Sequence, residues 1–213
     1  MQSRARRKLP QASDVSRLGM FGGTFDPIHY GHLICAEQLR EALNLDLVMF
    51  IPSSSPPHKP DYSATSASHR LEMVRLAIEG CDHFVASDIE VLKGGVSYTV
   101  DTVREVRASY GNDVNLWLLL GMDAYLDLPT WKEPDVIAAE CSFAVACRPG
   151  YVNTIDPGQA VAGKRFVDIT LVEISSTGIR ERLSDGRSIR FLVPESVERY
   201  IKHHKPYPSA SKD

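Results

Sequence analysis

Continuous apolar runs, each stopped by glycine or proline, are the feature that most limits the folds open to this chain. Residues 114–120 (VNLWLLL) form the strongest of them, and residues 47–51 (LVMFI) end at Pro52. An uninterrupted apolar run of this length is typical of a strand that is buried on both faces, as in a parallel sheet. The intervening segments repeat apolar residues at helical spacing, as residues 33–43 do. The pattern therefore predicts strands that alternate with helices.

Strand and helix patterns alternate along nearly the whole chain. Extended segments are predicted at residues 18–21, 47–51, 84–86, 89–91, 114–120, 142–147 and 165–173. Helices are predicted from about residue 28 to 43, at 68–78, from 97, at 134–140, from 174, and at 195–203. This order predicts an α/β fold, a Rossmann-like doubly wound sheet of five to six mostly parallel strands with helices on both faces. We expect a disordered basic arm at 1–16, a single domain at 17–207 and a disordered tail at 208–213.

Bulk composition excludes several classes of protein. The net charge is −3, from 24 basic and 27 acidic residues, so nothing favours nucleic acid as a partner. No apolar run approaches the roughly 20 residues of a membrane span. The four cysteines show no CxxC spacing and lie in or beside apolar runs, which predicts buried thiols in a reducing cytoplasm and argues against a zinc site. A cytoplasmic protein is expected, and its oligomeric state is left open.

The stretch at residues 22–32 (GGTFDPIHYGH), called the histidine turn below, joins a short strand to a helix. Gly22 and Gly23 allow a sharp turn and a close approach of a ligand to the backbone. A helix N-terminus presents backbone N–H groups and the positive end of the helix dipole to an anion. The three-residue offset of His29 and His32 puts both imidazoles on one helix face. The turn is therefore predicted to bind nucleotide phosphates.

Loops after the predicted strands collect further polar groups at one edge of the sheet. Residues 56–59 (PPHK), 121–124 (GMDA) and 148–150 (RPG) join the histidine turn there. The chain has no GxxxxGK[ST] loop, no GxGxxG after its first strand and no GxSxG elbow. What remains is a set of cations and N–H donors, which suits charge stabilisation during transfer at phosphorus.

Two segments together carry a resemblance to a known family. The histidine turn resembles the HxGH signature of the nucleotidylyltransferase superfamily, and residues 174–180 (ISSTGIR), called the serine segment below, resemble its ISSTxIR signature. The two lie about 150 residues apart in the expected order. PPHK, SYTVDT, GMDAYLDLPTWKE and RPG resemble the nicotinate-mononucleotide adenylyltransferases in particular. The resemblance covers residues 18–207.

The resemblance implies an enzyme that transfers AMP from ATP to nicotinate mononucleotide, releasing pyrophosphate, in NAD biosynthesis. Mg²⁺ would be bound through the ATP phosphates, with no protein side chain as metal ligand. His29, His32 and Arg180 would be catalytic. The remaining ATP contacts implied by the family pattern are Gly22, Gly23, Thr24, Phe25, Ser175, Ser176 and Thr177.

A second group of residues would bind the mononucleotide. Trp131 would stack on the pyridine ring, and Tyr98 and Thr99 would meet its carboxylate. Asp123 would hold a ribose hydroxyl, and Arg148 would lie near the substrate phosphate. Lys59 would also take a phosphate, although many relatives have arginine there, so this chain lacks the bidentate contact of a guanidinium.

Three other activities are compatible with parts of this pattern. A related adenylyltransferase acting on phosphopantetheine shares both signatures but lacks the PPHK and LPTW context. Nicotinamide mononucleotide differs from the nicotinate substrate by one amide in place of one carboxylate. A non-catalytic nucleotide sensor on the same fold predicts damage to the histidines or to Arg180, and all of these residues are intact.

Overall fold

A computed structural model describes residues 14–55, 65–148, 150 and 163–207. Within these ranges six strands form one sheet: β1 (Arg17–Gly23), β2 (Leu47–Pro52), β3 (Phe84–Ala86), β4 (Asn115–Gly121), β5 (Ser142–Cys147) and β6 (Lys164–Asp168). The helices are α1 (Tyr30–Leu43), α2 (Ala67–Ala77), α3 (Ile89–Lys93), α4 (Thr99–Tyr110), α5 (Met122–Asp127), α6 (Pro134–Glu140), α7 (Ser176–Ser184) and α8 (Glu195–His204). A 3-10 turn at Leu128–Thr130 follows α5.

The sheet has the order β3-β2-β1-β4-β5-β6, and every neighbouring pair is parallel. The chain winds outward from β1 to β3 and then returns to place β4 on the other side of β1. This reversal opens a crevice at the carboxyl ends of β1 and β4, where doubly wound folds bind ligands. The predicted Rossmann-like α/β sheet is confirmed, with six strands.

Side chains of the strands alternate between two cores, one on each face of the sheet. Phe21, Phe50 and Leu119 belong to the first core, with residues of α1, α2 and α8. Leu18, Met49 and many of their neighbours form the second core with α4 and α6. Because both faces are covered, every residue of β2 is buried, as its continuous apolar run predicted. Helices lie on both faces of the sheet, as expected.

Two predicted segments differ from the structure. Residues 89–91 are helical, within α3, because Ser87 Oγ accepts the Ile89 N–H (3.4 Å) and Gly94, at φ +67°, ends the helix five residues later. The extended segment predicted at 165–173 pairs with β5 only as far as Asp168. Residues 1–13 of the predicted arm, the tail and most of the 52–66 loop lie outside the described residues, whereas Val15, inside the predicted arm, is 5% exposed and belongs to the second core.

The cysteines match their prediction in part. Cys141 and Cys147 are buried, whereas Cys35 and Cys81 are half-buried, and all four are free thiols. Burial raises the pKa of Cys35 and of Cys141 to about 12, so both thiols are protonated at neutral pH. Across the ranges described, no helix is long and apolar enough to cross a bilayer.

Candidate active site

The two predicted histidines stack at the start of α1. His29 is the N-cap residue of α1, and the backbone N–H of His29 donates to Nδ1 of His32 (3.3 Å). The two ring centroids lie 3.7 Å apart with 25° between the planes. The helix begins at Tyr30, two residues later than expected from the sequence, but the one-face prediction for both imidazoles is confirmed.

Burial keeps both imidazoles neutral. Desolvation lowers the pKa of His29 to about 4. For His32 desolvation is again the larger cause, and with the neighbouring His29 it lowers the pKa to about 3. In a neutral ring one nitrogen accepts and the other donates. Since Nδ1 of His32 accepts, Nε2 of His32 carries the proton. At neutral pH the histidines are therefore neutral, and each ring presents an N–H donor rather than a positive charge.

Local packing favours glycine at position 31, between the two histidines. A Cβ atom on Gly31 would lie 3.0 Å from Nδ1 and 3.1 Å from Cε1 of His29. Phe25 supports the other ring, with an edge contact of 5.0 Å between its centroid and that of His32. Phe25 is 2% exposed and has a φ of +50°, so a buried aromatic ring holds the backbone in a left-handed conformation. The sequence of the turn thus fixes the orientation of the histidines.

The serine segment packs directly against the histidine turn. Arg180 Nη1 donates to the backbone oxygen of Asp26 (2.7 Å), and Ser176 Oγ donates to the backbone oxygen of Pro27 (2.9 Å). Ser175 caps α7 by accepting the Gly178 N–H (3.0 Å). Thr177 Oγ1 accepts from Arg180 Nη2 (3.1 Å), which fixes the guanidinium from a second side. Two segments about 150 residues apart in the sequence therefore form one structural unit.

The residues assigned to the mononucleotide lie at the same edge of the sheet but are more exposed. Tyr98 is the N-cap residue of α4, with Thr99 next to it, and Lys132 Nζ lies 4.7 Å from the Tyr98 ring centroid. Asp123 is exposed in the first turn of α5, and Arg148 is exposed after β5. Trp131 follows the 3-10 turn and packs partly against the second core. Lys59 lies outside the described residues.

Sequence reasoning missed three polar side chains behind the histidine turn, two of them buried. Arg70 and Asp26 are each 1% exposed, and Tyr207 is half-buried. Tyr207 donates to Asp26 Oδ1 (2.7 Å), and Arg70 donates to three backbone oxygens. The burial of Arg70 could have been predicted from its position. It precedes Met73 and Val74 by three and four residues, which places it on the buried face of α2.

Asp26 is not available as a metal ligand in this arrangement. Its carboxylate accepts from Tyr207 and from the Thr65 N–H (3.1 Å), and it is almost fully enclosed.

A possible metal-ligand group lies elsewhere. Among the described residues, Glu37, Cys81 and His83 alone bring three potential ligand atoms within 4.8 Å of one another. The Arg40 guanidinium contacts both oxygens of Glu37 (2.7 to 3.2 Å) and, as the main cause, holds the pKa of that carboxyl below its usual range. A bound cation would lie beside this guanidinium, so we assign the group to hydrogen bonding between α1 and the turn before β3.

The geometry and the comparisons define the class of protein. The family model described as cytidylyltransferase-like matches residues 20–182. The chain therefore belongs to the cytidylyltransferase-like family, and within it to the nicotinate-nucleotide adenylyltransferases, with several of which it shares 39–46% identity over about nine-tenths of its length.

Curated relatives and solved structures are similar over almost the whole chain. The chain is 46% identical to the "Probable nicotinate-nucleotide adenylyltransferase" of Thermomicrobium roseum, covering 91% of this chain and 92% of the relative. Identity to the protein of the same name from Moorella thermoacetica is 43%, covering 90% and 91%. The structure titled "Plasmodium falciparum nicotinic acid mononucleotide adenylyltransferase complexed with NaAD" has a TM-score of 0.73 at 20% identity, covering 89% and 96%. At that identity it supports the fold alone.

Proposed function

We propose that this protein is a nicotinate-nucleotide adenylyltransferase. It joins ATP and nicotinate mononucleotide to give nicotinate adenine dinucleotide and pyrophosphate. A 5′-phosphate oxygen of the mononucleotide attacks the α-phosphorus of ATP, forming one P–O bond. The bond from the α-phosphorus to the bridging oxygen breaks on the opposite side, and its electron pair leaves with pyrophosphate. The observation that carries the proposal is the contact of Arg180 and Ser176 with the histidine turn, which joins both signatures in one site.

Charge develops on the phosphorus oxygens and the leaving group during this displacement. In the proposal, Nε2–H of His32 and the N-terminus of α1 donate to those oxygens, His29 supports them, and Arg180 supplies the positive charge. Each well-aimed donor in a dry site contributes about 10²–10³ in rate. Neither histidine acts as a general base, because the attacking phosphate oxygen is already ionised at neutral pH. Mg²⁺, held through the ATP phosphates rather than by a protein side chain, would supply further charge neutralisation at the leaving group.

Residues 22–25 line the ATP site in this proposal, chiefly through their backbone, and Ser175, Ser176 and Thr177 hold the triphosphate together with Arg180. Gly22 suits that role, since it is exposed at the end of β1 with open space around it. The mononucleotide is selected by a second group of side chains: Trp131, Tyr98, Thr99, Asp123, Arg148 and Lys59. These residues act within one domain at 17–207, in the cytoplasm, where NAD precursors are assembled.

A pyrophosphate-release assay with ATP and Mg²⁺ tests the proposal. Nicotinate mononucleotide, nicotinamide mononucleotide and phosphopantetheine are compared at equal concentrations. We expect kcat/KM to be highest for nicotinate mononucleotide by about tenfold or more, because an exposed edge rich in N–H donors favours a carboxylate over an amide. A preference for phosphopantetheine or for nicotinamide mononucleotide would overturn the substrate assignment, and ATP binding without turnover of any acceptor would favour a sensor.

A further inference from the structure

Arg70 places a full positive charge in the protein interior behind the histidine turn, which it contacts through the backbone oxygen of Thr24. Its side chain is among the largest that the fold buries completely. Burying a charge is costly unless hydrogen bonds satisfy it. The guanidinium meets this requirement with three backbone oxygens: Nε donates to Thr65 (2.8 Å), Nη1 to Thr24 (2.8 Å) and Nη2 to Ser54 (2.9 Å).

The three oxygens come from separate parts of the chain. Thr24 belongs to the histidine turn after β1. Ser54 and Thr65 lie on either side of residues 56–64, in the loop between β2 and α2. One planar guanidinium thus fixes the distance between the histidine turn and both stems of this loop. The rigid fork of arginine supports such a geometry, whereas the single ammonium of lysine does not.

Asp26 connects the same stem to the rest of the site. Its carboxylate accepts the Thr65 N–H (3.1 Å) and the hydroxyl of Tyr207 (2.7 Å). Its backbone oxygen accepts Arg180 Nη1 (2.7 Å). A single buried residue therefore holds the loop stem, the segment after α8 and the proposed catalytic arginine.

We propose that Arg70 and Asp26 are positioning residues for the transfer reaction, a role that rests on the function proposed above. Arg70 holds the histidine turn and the loop stems at the spacing that the two substrates need. Asp26 aligns Arg180 with that turn, and Tyr207 holds Asp26 in place. Because effective molarity depends steeply on alignment, a small shift of these backbone segments lowers turnover without removing any group that contacts substrate.

The test compares conservative variants with matched controls. Arg70→Lys keeps the charge but not the fork, and Arg75→Lys is its control on the same helix, where Arg75 pairs with Asp88 and Glu72. Tyr207→Phe removes one hydroxyl, and Tyr200→Phe is its control, since Tyr200 bonds His69 (2.7 Å). Each full-length variant is assayed at a temperature at which circular dichroism shows complete folding, and kcat and both KM values are measured.

For Arg70→Lys we expect a roughly tenfold rise in KM for nicotinate mononucleotide and a smaller rise for ATP, because two of the three oxygens belong to the loop stems. Tyr207→Phe should lower kcat about threefold to fivefold through Asp26 and Arg180, since it removes one buried hydrogen bond. Arg75→Lys and Tyr200→Phe should match wild type. A rise in KM for Arg70→Lys and a fall in kcat for Tyr207→Phe, both absent from the matched controls, support the positioning role.

Kinetic constants of Arg70→Lys that equal those of Arg75→Lys would overturn the proposal. So would a loss of activity that follows only the fraction of unfolded protein, with both KM values unchanged, because that result defines a purely structural role. A wild-type protein that turns over no acceptor would contradict the proposed function instead. In that case the dissociation constants for ATP are compared between Arg70→Lys and Arg75→Lys. A larger constant for Arg70→Lys supports the positioning role, and equal constants exclude it.

Discussion

The two halves of the site are built in different ways. The nucleotide half, formed by the histidine turn and the serine segment, is closely hydrogen-bonded around a buried His29, which is only 6% exposed, although Ser175 and Thr177 are exposed. The acceptor half, formed by Tyr98, Asp123, Trp131 and Arg148, is largely exposed, with Tyr98 at 38%. Rigid, dry surroundings favour electrostatic catalysis, and exposed side chains are free to adjust to a ligand. In the proposed function, this contrast assigns the chemistry to the first half and substrate choice to the second.

Removing a histidine should produce the largest effect. His32→Ala is expected to lower kcat by about 10² or more while the fold is retained, because it deletes a preorganised donor. His203→Ala, on the exposed face near the end of α8, is the control. Steady-state kinetics with circular dichroism checks the prediction. Near-normal turnover in the folded His32 variant would place the chemistry outside the nucleotide half.

Acid should destabilise the nucleotide half. The folded-state pKa values of His29 and His32, about 4 and 3, lie below the ordinary 6.5. At pH values between the folded-state pKa and 6.5, the unfolded chain binds more protons than the folded chain. The free energy of unfolding therefore falls as pH drops below 6.5 and levels off below the folded-state pKa values. From pH 7 to pH 5 each histidine should cost roughly 2 kcal/mol.

Urea unfolding of wild type, His32→Asn and His203→Asn at both pH values measures this loss. We expect the loss of unfolding free energy to be smaller in His32→Asn, by the contribution of one histidine, and unchanged in His203→Asn. An equal loss in all three proteins would mean that the imidazoles titrate normally and are not desolvated.

The glycine between the histidines gives a sharper test of rigidity. Gly31→Ala should lower kcat by about tenfold to a hundredfold, because its Cβ would displace the His29 ring from 3.0 Å contact and misalignment costs rate steeply. The ¹⁵N shifts of the histidine rings should move in the same variant. Unchanged shifts and turnover would show that the nucleotide half tolerates adjustment as the acceptor half does.

The acceptor half should respond through binding. Trp131→Ala is expected to raise KM for nicotinate mononucleotide about fivefold to tenfold, the range of one aromatic stacking contact, with kcat and the KM for ATP changed less than twofold. The ATP constant serves as the internal control in the same assay. A large fall in kcat instead would contradict the assignment of chemistry to the nucleotide half and substrate choice to the acceptor half.

The architecture was largely predictable from the sequence. Buried strands such as β2 and β4 read as continuous apolar runs because both faces of the sheet are covered. Residues 89–91 misled the prediction, since a short apolar segment carries no period long enough to separate strand from helix. The decisive local information there was a serine hydroxyl before the segment and a glycine after it.

The site divides in the same way. His29, His32 and the serine segment were visible in the sequence, because each belongs to a short signature at a helix start. The network of Asp26, Arg70 and Tyr207 joins residues up to 181 positions apart, so no local pattern could show it. Neutral histidines were equally hidden, because their pKa values depend on burial that only the folded chain creates.

A double-mutant cycle on kcat tests most directly whether the histidine turn and the serine segment form one catalytic unit. His32→Ala, Arg180→Ala and the double variant are measured with ATP and nicotinate mononucleotide. We expect each single change to cost about 10² and the double change no more than about 10³, because groups that stabilise one transition state are not additive. A double variant that loses the full product, about 10⁴, would show two independent contributions and contradict the shared site.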